Sequence, residues 1–384
     1  MIELRGKTLV FGDLHIGIKS DSLSRMMVDA HFIEYLLKYI HENNIDNVIF
    51  LGDWFNSREF INTITLSVGF ELAALLAKNV KNLIFILGNH DLESNSYQNV
   101  SSVIGYDSIK NVHLIKEPTE GLVNKKLALF VPWGYSGFSG FKNNGEKQKF
   151  SYIFGHFNLP SSYIRYNKIS VNNLDSIPDD RTQHNDIRSF CNELDVGGVC
   201  FSGHVHCMTE HTYHQHRIIF VGSPFELTFG ETNTIHGFYE LDSSDNIKFV
   251  PVSSEKIPRH VILKMSSCFD DDGQLKDKSE FSHLAGNIVK KIIDKDLSAA
   301  ESLKLNELLN SLKIFEFAQA EYGALNSYIV DGQETIAQTE TSALTLDSYF
   351  DTVIQAIDEN TLKAANVTKD ELRECFMSYI SKLA

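Results

Sequence analysis

Aspartate, asparagine and histidine side chains recur directly after short apolar runs in this sequence. The clearest example is Gly88-Asn89-His90-Asp91, which follows the apolar residues 83–86. An apolar run of this length predicts a buried strand, and the carboxyl ends of such strands are where open α/β folds bind ligands. An asparagine beside a histidine offers one metal ligand and one imidazole for other chemistry. We therefore interpret this stretch as half of a hydrolytic centre.

The same arrangement repeats along the chain. Each donor lies at the end of a predicted strand, in most cases beside a glycine, which lets the backbone turn tightly and approach a bound group closely. The predicted metal ligands are Asp13, His15, Asp53, Asn89, His156, His204 and His206.

Seven oxygen and nitrogen donors without a thiolate exceed the roughly four ligands that a single zinc ion needs. They suit two divalent ions about 3.5–4 Å apart that share one carboxylate. Mixed imidazole and carboxylate donors favour manganese, iron or zinc, and we expect manganese first, with magnesium as a further option. Such a pair activates water at neutral pH and clamps phosphoryl oxygens, so the predicted reaction is phosphoester hydrolysis.

His90 is the histidine of this set without an evident metal role. We predict that it protonates the leaving group or stabilises the developing charge, and that Asp91 orients its imidazole. An isolated histidine in a chain with 15 of them would more often be a surface or core residue. Five histidines at glycine-associated strand ends do not fit that purely structural interpretation.

Strands that alternate with helices must position these residues. Apolar residues at three- and four-residue spacing predict an amphipathic helix over residues 21–43, capped by Asp21 or Ser22. Residues 61–77 are apolar over more than one helical stripe, which predicts either a fully internal helix or a subunit interface. Three apolar runs between residues 217 and 252 predict consecutive antiparallel strands that complete a second sheet, and residues 280–295 and 300–312 predict helices.

Length and composition limit the class of protein. The chain has 384 residues with 43% apolar content, which allows two or three domains. A formal charge of -15 argues against coating nucleic acid by net charge but permits a nuclease with a local basic groove. Five cysteines without a close pair fit a reducing cytoplasm. We see no signal peptide and no apolar run near the roughly 20 residues of a membrane span, so we expect an intracellular protein.

The motif series resembles that of the calcineurin-like metallophosphoesterases. Within them it is most similar to the SbcD-type DNA repair nuclease subunits and their phage recombination-endonuclease relatives, over about residues 8–252. The motifs that carry the resemblance are Asp13-x-His15, Gly52-Asp53, Gly88-Asn89-His90-Asp91, Gly155-His156 and Gly203-His204-x-His206. The resemblance implies one metal held by Asp13, His15, Asp53 and His206. It implies a second metal held by Asp53, Asn89, His156 and His204, with Asp53 as the bridge.

The resemblance also implies the architecture, a four-layer α/β/β/α sandwich with a small α+β capping domain and C-terminal helices. We expect the phosphoesterase domain at residues 1–257, the capping and DNA-binding domain at residues 258–345, and the C-terminal helices at residues 346–384. Apolar residues between 372 and 383 share one face of a helix predicted from Lys369. This helix would bind an SbcC-type coiled-coil ATPase or pack on the protein's own core.

Asn56 and Arg58 are our candidates for substrate contact. In the resembling nucleases a histidine or aspartate usually stands where Asn56 does, near the substrate; Asn56 can hydrogen-bond a phosphate but cannot titrate. We expect a manganese-dependent DNA exo- and endonuclease that acts in recombination and double-strand-break repair, as a homodimer with the ATPase, in the cytoplasm of the cell or of a phage host. The alternatives are a small-molecule or cyclic-nucleotide phosphodiesterase of the same fold, and a non-catalytic scaffold with structural metals.

Overall fold

The computed structural model describes most of the first 322 residues, which belong to one compact unit that spans residues 1–325. The described ranges are 1–93, 100–135, 142–143, 146–147, 149–159, 164–165, 168–169, 174, 186–253, 257–270 and 272–322. The predicted C-terminal helices at residues 346–384, including the helix from Lys369, lie outside these ranges. So does the end of the predicted capping domain.

Twenty strands occur in the described residues. They are β1 (Ile2–Leu4), β2 (Thr8–Phe11), β3 (Asn47–Phe50), β4 (Asn82–Ile86), β5 (Val112–Ile115), β6 (Thr119–Val123), β7 (Lys126–Val131), β8 (Lys142–Asn143), β9 (Glu146–Lys147), β10 (Phe150–His156), β11 (Ile164–Arg165), β12 (Lys168–Ile169), β13 (Leu194–Gly203), β14 (Thr209–Tyr213), β15 (His216–Phe220), β16 (Gly237–Leu241), β17 (Ile247–Pro251), β18 (His260–Lys264), β19 (Ile288–Ile293) and β20 (Glu316–Tyr322).

Five α-helices accompany them in the same part of the chain. They are α1 (Ile18–Asp21), a single turn with left-handed residues, α2 (Leu23–Asn43), α3 (Thr63–Asn79), α4 (Ile187–Cys191) and α5 (Ala299–Asn310). Short 3-10 turns occur at Ile104–Ser108, Phe229–Glu231, Met265–Cys268 and Lys278–Leu284.

Two large sheets pack face to face and form the centre of the molecule. One has the order β17-β16-β2-β3-β4-β5 and the other β1-β6-β7-β10-β13-β15-β14. Side chains alternate between the two faces of each strand. In β2, Val10 therefore joins the apolar core between the sheets, whereas Leu9 and Phe11 join the core beneath α2 and α3. On the far side, Ile153 of β10 packs with α4. These are the four layers that the sequence predicted.

Parallel pairing brings the motif-bearing strand ends together. Strands β2, β3, β4 and β5 are parallel in one sheet, and β7, β10, β13 and β15 are parallel in the other. The carboxyl ends of neighbouring parallel strands meet at one edge of a sheet, and the two edges lie side by side in the sandwich. Residues far apart in sequence, such as Asp13 and His204, consequently come into hydrogen-bond contact.

Two predictions about elements are wrong. Strand β15 pairs in parallel with β13 in the seven-stranded sheet, whereas β16 and β17 form an antiparallel hairpin on the six-stranded sheet, so the three strands are not consecutive in one sheet. The helix predicted over residues 280–295 is replaced by a 3-10 turn and the strand β19. Ile288 and Ile292 are four residues apart, as on a helix, but in β19 they lie on one face of a strand.

A third sheet, β18-β19-β20, is entirely parallel, and α5 packs against it. Leu305 and Leu309 of α5 are buried with Leu263 and Val289 of the sheet. Ser298 begins α5 with a reciprocal capping box to Glu301, which satisfies backbone groups at the helix start. The boundary predicted between residues 257 and 258 falls shortly before β18 and stays a prediction.

Helix α3 is only partly internal. It buries Leu72 and Leu76 against the six-stranded sheet but exposes 48% of Ile64 and 45% of Phe70. The fully internal alternative is therefore wrong, and the subunit-interface alternative stays a prediction. No helix in the described residues combines the length and the hydropathy required to cross a bilayer. The cysteines of this part of the chain are free thiols.

Candidate metal centre

Three groups of side chains at the strand ends place their nitrogen and carboxylate oxygen atoms within 4.8 Å of one another. One group contains Asp13, His15 and His206; another contains Asp53, His156 and His204; a third joins His15, Asp53 and His90. The first two groups follow the division into two ligand sets that the resemblance implies. Ligation by these residues stays a prediction.

Asp53 lies between the two groups. Its Oδ2 atom is 3.5 Å from His15 Nε2 and 3.4 Å from His156 Nε2. Its Oδ1 atom accepts a hydrogen bond of 2.7 Å from the backbone N–H of His90. Burial alone would raise the pKa of Asp53, but the adjacent His156 and His15 side chains outweigh it and hold that pKa well below its usual range. Asp53 is therefore placed to serve both groups.

Asn89 connects the imidazoles of the second group. Its Oδ1 atom is 2.9 Å from His156 Nε2 and 2.9 Å from His204 Nδ1. On the other side of its ring, His156 Nδ1 lies 2.8 Å from the carbonyl oxygen of Leu51. If Nδ1 donates to that carbonyl, the neutral ring turns an unprotonated Nε2 toward two oxygens, those of Asn89 and Asp53. Three acceptors that face one another fit a cation between them.

The protonation states respond to this arrangement. Burial lowers the pKa of His156, but Asp53 more than reverses this and raises it to about 9. Burial and the neighbouring His156 lower the pKa of His204 to about 3. Burial also lowers the pKa of His15 well below its usual value. Neutral imidazoles are the form that binds metal ions.

Buried polar atoms without a partner mark the first group. Asp13 Oδ2 and both ring nitrogens of His15 make no hydrogen bond although they are shielded from solvent. Burial raises the pKa of Asp13 to about 6, partly offset by His156 and His206. Unsatisfied buried polar groups are rare and cost stability. A bound divalent ion would satisfy these atoms, so the donor set fits the two ions that the sequence predicted.

The backbone of these motifs is strained. Asp13, His15, Asp53 and His204 all have left-handed φ angles, between 53° and 82°. Left-handed backbone is unfavourable for residues with a Cβ atom and persists where the surrounding structure enforces it, often at functional sites. Gly52 has a φ of 103°, and a Cβ atom there would lie 2.5 Å from the backbone nitrogen of Gly88. Glycine is therefore required where these two loops approach each other.

The His90 imidazole is held by the backbone. Its Nδ1 atom is 2.5 Å from the carbonyl oxygen of Asn56. The ring lies edge-on to His15, with 4.7 Å between centroids. Burial is the main cause of its lowered pKa, and the charge of Arg58 adds to that effect. Asn56 and Arg58 thus both act on His90, whereas their predicted contact with substrate stays a prediction.

Asp91 has a different task from the one predicted. Its Oδ2 atom accepts hydrogen bonds from the backbone N–H groups of Asp53 and Gly88, at 2.8 and 2.9 Å, and its Oδ1 atom accepts one of 2.9 Å from Trp54. Burial and the charge of Asp53 raise its pKa to about 7. The expectation that Asp91 orients the His90 imidazole is wrong, since the Asn56 carbonyl does so. Asp91 instead joins the loop that contains Asp53 to the loop that contains Asn89.

Two residues near the site were not found from the sequence. Glu231 is fully buried, and its Oε1 atom lies 3.0 Å from His206 Nδ1. Burial would raise its pKa, but the hydrogen bond with His206 reverses this and lowers the pKa to about 2. Trp133 packs its ring against His204, with 5.0 Å between centroids. The one available signal was general: histidine ligands commonly donate their second nitrogen to a carboxylate.

Comparisons with known proteins show what this chain is similar to. Residues 6–208 match the calcineurin-like phosphoesterase family. The chain is 24% identical to exonuclease subunit 1 of Enterobacteria phage T4 over 387 residues, which cover 98% of each chain. Among solved structures, Yfce, a phosphoesterase from E. coli, matches with a TM-score of 0.33 and 13% identity over 64% of this chain and 100% of its own. The phosphopantetheinyl hydrolase of Mycobacterium tuberculosis matches with a TM-score of 0.32 and 12% identity over 57% of this chain and 90% of its own.

The family match spans all five motifs and covers more than half of the 384 residues. It includes Asp13 near its start and His206 near its end. The family resemblance read from the motifs is thereby confirmed, and this chain belongs to the calcineurin-like phosphoesterase family.

Proposed function

We propose that this protein is a divalent-metal-dependent DNA nuclease that hydrolyses phosphodiester bonds. The observation that carries the proposal is the pair of adjacent donor groups that share Asp53 beside the His90 imidazole. Membership of the phosphoesterase family supports hydrolysis. The near-full-length similarity to a phage exonuclease subunit supports DNA as the substrate.

Enzymes of this family use divalent metal ions. Asp13, His15, Asp53 and His206 would hold one ion, and Asp53, Asn89, His156 and His204 the other. When bound, such ions supply the Lewis acidity that activates water at neutral pH and neutralises charge on phosphate oxygens. Manganese is our proposal for the metal, because imidazole mixed with carboxylate and amide oxygen suits it.

The protein's own groups position the reaction. Because the Asn56 carbonyl engages His90 Nδ1, Nε2 is the nitrogen that remains to exchange a proton with the leaving oxygen. The exposed side chain of Arg58 lies close enough to His90 to affect its pKa, so a phosphate at His90 would also experience that positive charge. The surrounding core, with Trp133 against His204, limits the access of water to the donors.

We further propose that the protein works as a homodimer with an SbcC-type coiled-coil ATPase, in the cytoplasm, in recombination and double-strand-break repair. The relative's name, exonuclease subunit 1, describes a component of an assembly, which supports this proposal. The free thiols of the described residues suit a reducing compartment. The segment proposed to contact the ATPase is residues 346–384.

Digestion of end-labelled duplex and hairpin DNA tests the proposal. We expect cleavage with Mn²⁺, none with a chelator, and a change in rate or product length when a candidate ATPase is added. Raising the salt concentration should slow cleavage, because phosphate contacts release counterions. Hydrolysis of a chromogenic phosphodiester without cleavage of any DNA, even with the ATPase, would instead favour the small-molecule phosphodiesterase.

A further inference from the structure

His206 differs from the other predicted ligands in how its ring is held. Its side chain is 17% exposed, whereas those of His15 and His156 are 4% and 0% exposed. Core packing therefore confines this ring less than it confines those of His15 and His156. One contact that holds it is the hydrogen bond with Glu231, 25 residues later in the chain.

We propose that Glu231 is a positioning residue that holds His206 in the orientation and tautomer needed to bind one of the two metal ions. The inference rests on the proposed function, because it assumes that His206 is a metal ligand. It adds a residue that none of the five motifs contains.

The chemistry of the contact sets the tautomer. A carboxylate oxygen only accepts hydrogen bonds, so His206 Nδ1, at 3.0 Å from Glu231 Oε1, must be the donor. A neutral ring with its proton on Nδ1 has an unprotonated Nε2. His206 is grouped with Asp13 and His15, of which the Asp13 Oδ2 atom and both His15 ring nitrogens make no hydrogen bond. Glu231 thus prepares Nε2 to complete that group.

Glu231 is itself fixed. It ends the 3-10 turn Phe229–Glu231, is completely buried, and accepts hydrogen bonds from the backbone N–H of Leu227 at 2.7 Å and from the Thr228 hydroxyl at 3.2 Å. These contacts hold the carboxylate before any ion binds. The geometry resembles the carboxylate–histidine pairs that orient metal ligands in many metalloproteins.

A purely structural role is the competing explanation, since the Leu227 and Thr228 contacts also close the turn. The two explanations differ in what they predict for metal binding. If Glu231 only closes the turn, its loss lowers the stability of the protein and leaves the affinities for both metal ions unchanged from wild type. If it positions His206, its loss weakens one ion selectively.

The experiment is a calorimetric titration of the metal-free full-length protein with Mn²⁺, for the wild type, Glu231→Gln and Glu231→Ala. We expect two ions per wild-type chain. In Glu231→Ala one ion should be weakened about 10–100-fold with the other nearly unchanged, and the loss should be smaller in Glu231→Gln, whose amide oxygen can still accept from Nδ1. Glu240→Gln is the matched control. Glu240 is also a buried carboxylate, but it contacts Tyr39 and Lys7, so both affinities should stay at wild-type values.

A second measurement covers the case in which the Glu231 variants do not fold. In the metal-free wild type, ¹⁵N NMR of the histidine rings, at a pH where His206 is neutral, should show the proton on Nδ1. Observation of the Nε2–H tautomer overturns the proposal without any variant.

Wild-type binding of two ions together with unchanged affinities in folded Glu231 variants also overturns the proposal, while the proposed nuclease function stands. Selective loss of one ion in a protein that cleaves no DNA has the opposite meaning, because it supports the positioning role and contradicts the nuclease. A wild type that binds no Mn²⁺ overturns both.

Discussion

At the scale of single residues, the site depends on how a buried carboxylate is held between two imidazoles. Asp53 has a left-handed φ of 60°, and its carbonyl oxygen accepts a hydrogen bond from the backbone N–H of His15. The Asp91 carboxylate adds to these contacts by accepting three backbone N–H groups from two loops. One side chain thus helps to fix the backbone of Asp53, although it belongs to neither of the two donor groups.

Asp91→Ala should therefore destabilise the protein, because it leaves three buried N–H groups without an acceptor. Each unmade hydrogen bond costs about 1–3 kcal/mol, so the free energy of unfolding should fall by roughly 3 kcal/mol or more. Urea unfolding of the metal-free protein measures this. Asp107→Ala is the control, since the exposed Asp107 contacts Lys116 and its loss should be nearly neutral. Equal stability of the two variants would contradict the role given to Asp91.

His90→Ala should separate chemistry from metal binding. If Nε2 of His90 exchanges a proton with the leaving group, its loss slows turnover about 10²–10⁴-fold while both ions remain bound. The measurement pairs the rate of DNA hydrolysis with the metal content of the purified variant. His214→Ala, an exposed histidine in the turn between β14 and β15, should keep the wild-type rate. Full activity in His90→Ala would contradict the catalytic role of His90 and support the non-catalytic scaffold. Loss of bound metal from the variant would indicate that His90 is a metal ligand.

The sequence revealed the donors but not their partners. Asp13, His15 and Asp53 were visible because an apolar run ends beside each of them, a signal that is local in the chain. Asp91 was misassigned because its neighbour in sequence, His90, is not the group that its carboxylate contacts. Glu231 had no local signal at all, since its partner lies 25 residues earlier and a 3-10 turn has no hydrophobic period to recognise.

At the scale of elements, the segment between β15 and β16 links the sandwich to the third sheet. Glu226 accepts hydrogen bonds from the backbone N–H of His260, at 2.5 Å, and from the Arg259 guanidinium, at 3.0 Å. On the opposite side of His260, Arg25 of α2 approaches Nε2 at 3.0 Å and also pairs with Glu316 of β20. The buried side chains of Glu226 and Arg25 therefore join elements from distant parts of the chain.

This junction predicts a pH dependence of stability. Burial would raise the pKa of Glu226, but the hydrogen bonds from His260 and Arg259 outweigh it and hold that pKa below its usual value of 4.5. A carboxyl group with a depressed folded-state pKa stabilises the protein above the unfolded-state pKa, and the contribution disappears as the pH falls through the folded-state value. The stability advantage of wild type over Glu226→Gln should therefore stay constant from pH 7 to about 4.5 and shrink as the pH falls further toward 3.

Thermal or urea unfolding at a series of pH values measures that advantage. Glu307→Gln, at an exposed position on α5, controls for the simple loss of a negative charge. An advantage that stays constant across the series would show that Glu226 contributes through packing and not through its charge.

The sequence predicted helices and strands correctly where its apolar residues followed a single hydrophobic period. The helix predicted over residues 21–43 is α2, because its stripe faces a single core. Strand β19 was mistaken for a helix because its apolar residues fit two patterns. The four-residue spacing of Ile288 with Ile292 and of Val289 with Ile293 is typical of a helix, but it also occurs in a strand. The pairing of β15 with β13 was not predictable, because the choice of sheet depends on contacts across the molecule and not on the strand's own residues.

At the scale of the whole molecule, the sandwich concentrates its chemistry at one edge and leaves an apolar surface elsewhere. That surface is the α3 apolar face, which we define as Leu66 and Phe70, four residues apart on one side of the helix and 40% and 45% exposed. Phe70 packs edge-on against Tyr106, with 5.7 Å between ring centroids, and the 3-10 turn that contains Tyr106 also exposes Ile104. A cluster of large exposed apolar side chains on one helix is typical of an interaction surface.

We propose that a second copy of the chain covers this face. A two-fold dimer uses the same patch on both partners, so an apolar helix face is complementary to itself. A stable interface of this kind buries about 1,200–2,000 Å² in total, and apolar side chains near its centre carry most of the binding energy.

Phe70→Glu would place two negative charges, one from each copy, at the centre of that interface. We expect light scattering at micromolar concentration to show a dimer for the wild type and a monomer for this variant. Val196→Glu, on β13 of the other sheet and 98% exposed, makes the same change outside the face and should remain dimeric. A monomeric wild type, or a Phe70→Glu protein that stays dimeric, would show that a second copy of the chain does not cover the α3 apolar face.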